Sequence, residues 1–535
     1  MQTKTIRTLY LIYILLKDFI LESEEIKLLN KYWGQFKSGT DIRGVASGGV
    51  KGEEINLTDE NIEKMVFGFA LWLGEKTKKP VAGLTVSLGH DPRISSERLR
   101  SDAVSAFVSA GIHVLDCGMC STPSMFMTTV DLKCDGALQI TASHHPFNRN
   151  GLKFFTKGGG LDAADIEAIL LHSQNGDRPP KGFGSVEKVD YMAKYSAHLR
   201  ETIKHGVNAE DFEHPLKGFH IVVDAGNGAG GFYAYDVLEP LGADISGSQF
   251  LNPDGRFPNH IPNPENETAM QSVCDAVRKS KADLGVIFDT DVDRGGAVDS
   301  HGDEINRNRL IAIASSIALE TAPGGTIVTD SITSTGLKEY IEKTLGGKHR
   351  RFKRGYRNVI NEAIRLNNDG VNCPLAIETS GHAAMKENYF LDDGAYLVTK
   401  IIIKTAKLST EGKSLEDLLA PLSEPKEAKE LRFPIKEESF RVYGEKVIDS
   451  LEKYAHGQQG WTIAPDNYEG IRVSLDKEHG DGWFLLRLSV HDPIMPLNVE
   501  SDSKGGAEII LKQLSVFLNT CGGLDLSPLS RERLC

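Results

Sequence analysis

Cysteine is scarce: seven residues in 535, odd in number and scattered. That excludes a disulfide-stapled scaffold and points to a reducing compartment. One pair, Cys117-Gly118-Met119-Cys120, has the Cys-x-x-Cys spacing, but no second pair follows. A zinc ribbon therefore lacks ligands, and the stretch reads as a small-residue turn leading into Ser121-Thr122-Pro123. No block of Lys or Arg occurs, and the net charge is −13, which argues against nucleic acid as the main partner. An anionic substrate must then be bound by local positive charge, not by the overall field. No apolar run approaches the ~20 residues of a membrane helix. Leu9–Leu16 is cut off by Lys17 and Asp18, and no small-residue cleavage site follows, so neither a membrane span nor a secretory signal is expected. Leu11, Ile14, Leu15, Phe19, Leu21, Ile26 and Leu29 instead fit an amphipathic helix in an N-terminal extension, residues 1–37. The extension lacks the Arg/Ser-rich, acid-poor character of a transit peptide. A soluble intracellular protein is expected, with cytoplasm and plastid both open.

The chain has a hydrophobic fraction of 40% and a charged fraction of 25%, as in soluble globular proteins. Its length accommodates several domains. An internal repeat is visible. Thr85–Asp91, His220–Gly226 and Thr326–Asp330 each read as a strand ending in small or acidic residues. Each is followed by a helical stretch and then by a second apolar strand. Those second strands run into Ser143, Asp289 and Glu378. The pattern predicts three similar α/β units with mixed or parallel sheets, each delivering one loop to a shared cleft.

The first loop is Thr141-Ala142-Ser143-His144-His145-Pro146, followed by Asn150-Gly151-Leu152-Lys153. A serine where a strand ends, beside histidines and a lysine, is a candidate covalent nucleophile once a base or a carried group activates it. The second is Asp289-Thr290-Asp291-Val292-Asp293-Arg294. Three alternate carboxylates can converge on one hard divalent cation. An EF-hand needs Gly and Glu where Arg294 and Ser300 stand, so calcium of that type is excluded. Three ligands leave room for a phosphate oxygen, and Arg294 can pair with it. A competing signal is Gly226-Asn227-Gly228-Ala229-Gly230-Gly231, a literal G-x-G-x-x-G after a strand. A dinucleotide oxidoreductase built on it leaves the Ser143, Asp289 and Glu378 loops without a role.

Together with Glu378-Thr379-Ser380-Gly381-His382, these motifs resemble those of the α-D-phosphohexomutases, the phosphoglucomutase and phosphomannomutase family, over roughly residues 38–500. The resemblance implies three α/β units around one cleft plus a smaller C-terminal α+β domain. The boundaries expected are 38–213 for the first unit, 214–304 for the second, 305–425 for the third and 426–535 for the last. It implies a phosphoserine at Ser143 and Mg²⁺ on Asp289, Asp291, Asp293 and the Ser143 phosphate, with Arg294 beside them. Lys153, with a depressed pKa, or His144 would be the general base. Arg43, in Asp41-Ile42-Arg43-Gly44, would touch a phosphate, and Glu378, Ser380 and His382 would grip the sugar. The implied reaction moves phosphate between the 1- and 6-positions of glucose or mannose, with a hexose 1,6-bisphosphate as intermediate and activator.

Three departures stand out. His90-Asp91-Pro92-Arg93-Ile94-Ser95-Ser96 has His90 where the family has Arg; it reads as a helix start capped by Ser95 or Ser96. Tyr356 follows Gly355 where many members have His. The last domain's phosphate loop is here Arg487-Leu488-Ser489-Val490-His491-Asp492-Pro493, with β-branched Val490 in place of Gly. Arg487, Ser489 and His491 would retain part of that site. The altered loop leaves open an alternative, a catalytically weakened sugar-phosphate-binding homologue. Oligomeric state is not legible.

Overall fold

A computed structural model describes residues 28–489 and 492–531. The helix expected in the N-terminal extension, and His491, lie outside them, apart from residues 28–37. There Asn30 caps a single helical turn, Lys31–Gly34. Trp33 and Phe36 are buried in the core of the first unit.

Three α/β units and an antiparallel C-terminal domain follow. In each unit two parallel strands lie side by side and an antiparallel strand returns beside the second. In the first unit Thr85–His90 and Gly136–Ile140 are parallel, and Arg149–Thr156 returns. In the second, Ile221–Asp224 and Leu284–Phe288 are parallel, and Gly295–Val298 returns. In the third, Thr326–Thr329 and Leu375–Ile377 are parallel, and Ala383–Met385 returns. The central strands are buried along their length, as strands covered on both faces must be. Each loop singled out above is the link between the second parallel strand and its return. The sheets are mixed, as the sequence pattern predicts.

After Ile221–Asp224 the chain first runs through 3₁₀ and π turns spanning Ala229–Leu241, and the expected α-helix, Glu267–Ser280, follows before Leu284–Phe288. The start of the turn segment is glycine-rich and Pro240 removes a donor. Gly228 lies against the second loop: a Cβ there would meet the Thr290 carbonyl oxygen at 2.7 Å. The Ala229 amide donates to that carbonyl at 2.8 Å. Gly228 thus serves close packing on the Asp289 loop, while Gly226 packs on Pro262 and Gly231 on the Leu251 carbonyl.

The second and third units share one hydrophobic core with helices Tyr191–Val207 and Gly394–Thr410. That common core fixes the loops relative to one another. In the C-terminal domain, helices Phe440–His456 and Gly506–Leu518 cover a five-stranded antiparallel sheet. Among the described residues no helix is long and apolar enough to cross a membrane.

Candidate active site

Ser143 stands in the left-handed region, φ +51°, a conformation that costs a non-glycine residue roughly 1–2 kcal/mol. Its surroundings hold it there. The Thr141 hydroxyl accepts from the Ser143 amide at 3.0 Å and donates to Asp91 at 2.8 Å. The Arg93 guanidinium donates to four main-chain carbonyls of this loop: Ser143, His145, Pro146 and Arg149. Its charge is balanced by Asp91 at 3.1 Å, both side chains fully buried. Asp91-Pro92-Arg93 is therefore a clamp on the Ser143 loop. Ser95 does occupy the N-cap position, but without a capping bond. Its hydroxyl, like that of Ser96, accepts from Asn150.

The Ser143 hydroxyl donates to Asp289 Oδ2 at 3.0 Å. Asp289, Asp291 and Asp293 each offer an oxygen within 4.8 Å of the others, and all are buried. The first two loops, 146 residues apart, thus face one point. Burial, then the charges of Asp293 and Asp291, hold the Asp289 carboxyl well above its ordinary range. Thr122 fixes Asp291 from the first unit: its amide donates to the Asp291 carbonyl at 2.8 Å and its hydroxyl to the carboxylate.

Unspent polar atoms mark what the site is built to hold. Asp291 Oδ1 and Asp293 Oδ1 are buried acceptors without a donor. Arg43 Nε and Arg294 Nε are buried donors without an acceptor. Leaving such groups unpaired is costly. The orphan carboxylate oxygens fit a hard divalent cation such as Mg²⁺, and the orphan guanidinium donors fit an anion. Arg43 lies on Asp41–Val45, paired directly with Gly151 of the return strand, and leans on Asp41 at 3.0 Å.

Lys153 departs from expectation. Burial alone would depress its pKa, but Asp291 and Asp293 outweigh burial and hold it well above the usual lysine value. It is charged, 3.2 Å from Asp291 and in contact with Asp293. His144 is the opposite case. Burial, then the charges of Arg294, His145 and Arg43, push it down to about 2. Its neutral Nδ1 lies 3.3 Å from the Ser143 hydroxyl. His145 is pushed down to about 3, chiefly by burial.

The third loop is stitched to the second by a bridge between Arg294 and His382 and by the Gly295 amide donating to the Gly381 carbonyl. Gly381, φ +91°, allows the approach; a Cβ there would sit 2.8 Å from the Gly295 carbonyl oxygen. Glu378 and Ser380 are buried beside it, and Glu378 accepts from the Gly355 amide at 2.7 Å. Against burial, the Asp392 carboxylate holds His382 above its ordinary value. Tyr356 stacks on the His382 ring, centroids 5.1 Å apart, and its hydroxyl meets Thr40 of the first unit at 3.0 Å. Tyrosine here is a strut between the first and third units.

Burial, then the charge of Asp330, push Glu378 up to about 7, against His382 and Arg354. Below that value the side chain is a neutral acid, and above it a carboxylate, the stronger hydrogen-bond acceptor. Affinity for a phosphorylated ligand whose hydroxyls would donate to Glu378 is therefore expected to strengthen between about pH 6 and about pH 8. The ligand's own phosphate titrates near pH 6, so titration calorimetry on Glu378→Gln is the control. The variant should lose the step near 7 and keep the one near 6. An unchanged profile would contradict this assignment.

Arg487 and Ser489 stand in the C-terminal domain, in the loop after Gly482–Leu486. Arg487 lies 3.5 Å from Glu469, with Nε buried and unpaired. The Ser489 hydroxyl accepts from the Asp492 amide at 3.3 Å.

The serine loop, the carboxylate trio and the Glu378 loop are thus brought together by three repeated α/β units. Family models described as phosphoglucomutase/phosphomannomutase, alpha/beta/alpha domains I, II and III, match residues 36–178, 193–302 and 306–424. A phosphoglucomutase of Neisseria meningitidis is 30% identical over 484 residues, covering 90% of this chain and 96% of the relative. A phosphomannomutase/phosphoglucomutase of Pseudomonas aeruginosa is 29% identical over 443 residues, covering 83% and 88%. The crystal structure of a Burkholderia thailandensis phosphoglucomutase/phosphomannomutase family protein superposes with TM-score 0.76 at 24% identity, covering 92% of this chain and 98% of that one. The chain belongs to the phosphoglucomutase/phosphomannomutase family, and it is an isomerase of that type.

Proposed function

We propose that the protein interconverts the 1- and 6-phosphates of glucose or mannose, through a phosphoserine at Ser143 and a hexose 1,6-bisphosphate. The observation that carries this reading is the Ser143 hydroxyl 3.0 Å from Asp289, with unpaired carboxylate oxygens and guanidinium donors around it. Asp289, Asp291 and Asp293 would hold Mg²⁺, with an oxygen of the Ser143 phosphate. When bound, the ion neutralises charge on the phosphoryl group in flight.

This chain's residues do the rest. Arg43 and Arg294 hold the phosphoryl oxygens through their unspent donors. The Oγ–phosphorus bond of Ser143 breaks as a bond from phosphorus to a sugar hydroxyl oxygen forms. His144 lies beside Oγ and is held neutral by burial and neighbouring cations; a phosphate dianion on Ser143 would raise its basicity and suit it to take the hydroxyl proton. Lys153 is charged beside Asp291 and Asp293. Were the aspartates to hold a cation, burial would favour the neutral amine of Lys153, and it would serve as a second base. Glu378, Ser380 and His382 grip the ring hydroxyls in either orientation. Arg487, Ser489 and His491 take the phosphate that is not being transferred. After reorientation the bisphosphate returns its other phosphoryl group to Ser143.

The test is a panel of glucose, mannose and glucosamine 1- and 6-phosphates, primed with hexose 1,6-bisphosphate. Turnover of the glucose or mannose pair with Mg²⁺, lost on chelation and restored by adding the ion back, is expected. Saturable binding with no turnover of any pair would contradict the reading.

A further inference from the structure

The Arg354-Gly355 turn donates consecutive amides to carboxylates of two different domains. Gly355, φ +108°, gives its amide to Glu378 of the sugar loop at 2.7 Å. Arg354 gives its amide to Glu469 of the C-terminal domain at 3.0 Å. The same Glu469 oxygen accepts from the Ser331 hydroxyl at 2.7 Å. The other Glu469 oxygen faces Arg487 Nη1 at 3.5 Å. The Arg487 side chain is 11% exposed, and its Nε is buried with no acceptor.

Glu469 is thus fixed from the third unit by two donors and presents its remaining oxygen to a guanidinium. A carboxylate so placed leaves part of the Arg487 fork unspent, and an arginine fork matches the oxygens of a phosphate. The seam has a second tie that does not involve Arg487: Arg472 donates to the Ser331 carbonyl at 3.0 Å and lies over the Trp483 ring. Removing the Glu469 carboxylate therefore leaves the two domains in contact.

We propose that Glu469 is a positioning residue for substrate recognition. It aims Arg487 at the phosphate on the non-reacting end of the sugar. Its own anchor, the Arg354 amide, adjoins the Gly355 amide that holds Glu378. The altered phosphate loop of this chain then works with an arginine whose place is set from the third unit. This rests on the hexose-phosphate reading above.

The test is steady-state kinetics on glucose 1-phosphate and mannose 1-phosphate with Mg²⁺ and primer, for wild type, Glu469→Ala, Glu469→Gln, Arg487→Ala and the double variant Glu469→Ala/Arg487→Ala. Glu469→Ala should raise KM about tenfold and leave kcat within about twofold. Glu469→Gln keeps an acceptor for Ser331 and the Arg354 amide and loses the charge beside Arg487, so its KM should fall between. The double variant should have the KM of Arg487→Ala alone, because Glu469 acts through that residue. Effects on KM that multiply, or a loss confined to kcat and melting temperature, would make Glu469 a seam contact only and overturn the proposal. An unchanged KM in Glu469→Ala with an active wild type overturns it alone; an inactive wild type overturns the hexose-phosphate reading as well.

Discussion

Ser143→Ala is expected to lower interconversion of hexose 1- and 6-phosphates by about 10³-fold or more, the scale on which loss of a covalent nucleophile acts. The side chain is small and its loss leaves no large cavity. The loop itself is held by Arg93 and Thr141, contacts to the main chain that alanine keeps. The melting temperature should therefore stay close to wild type, and Mg²⁺ should still bind the aspartate trio. A coupled assay beside a thermal melt separates the outcomes. Activity retained in the alanine variant would contradict a phosphoserine route.

Arg93→Met is expected to have the largest effect on stability. The guanidinium is fully buried, faces Asp91, and holds four loop carbonyls. Removing one partner of a buried ion pair costs about 3–5 kcal/mol, because the other charge is left uncompensated. Ser143 at φ +51° then loses one of the two contacts that hold its main chain, so turnover should fall with stability. Hydrogen exchange localises the change: amides of residues 143–149 should lose protection more than the distant C-terminal sheet. Arg93→Lys keeps the charge and loses the fork, since one ammonium has only three donors; partial recovery is expected. A variant with wild-type protection in this loop would contradict the clamp.

Where chemistry is concentrated in a few adjacent residues, the sequence is easily read. Ser143 and the three aspartates each follow an apolar strand, and the units repeat, so loop position and mixed α/β architecture are both legible. Arg93 is not. Its partners are backbone carbonyls some fifty residues on, and a carbonyl has no sequence signature; a helix cap was the local reading. Thr122 hides in the same way: Ser121 caps the helix, while Thr122 reaches across to Asp291 of the next unit.

The charge of Lys153 is also a tertiary fact. Its own strand says only that it is buried, which lowers a lysine pKa. The aspartates that reverse this come from the second unit. Tyr356 reads as a lost histidine until its ring is seen on His382 and its hydroxyl on Thr40. Glu469 becomes visible only when the C-terminal domain docks on the third unit.

The most direct measurement is phosphopeptide mapping of the purified wild-type protein after exposure to hexose 1,6-bisphosphate and Mg²⁺. One phosphate per chain, on Ser143, is the predicted result. Full mutase turnover with Ser143 unmodified throughout would contradict the account at its centre.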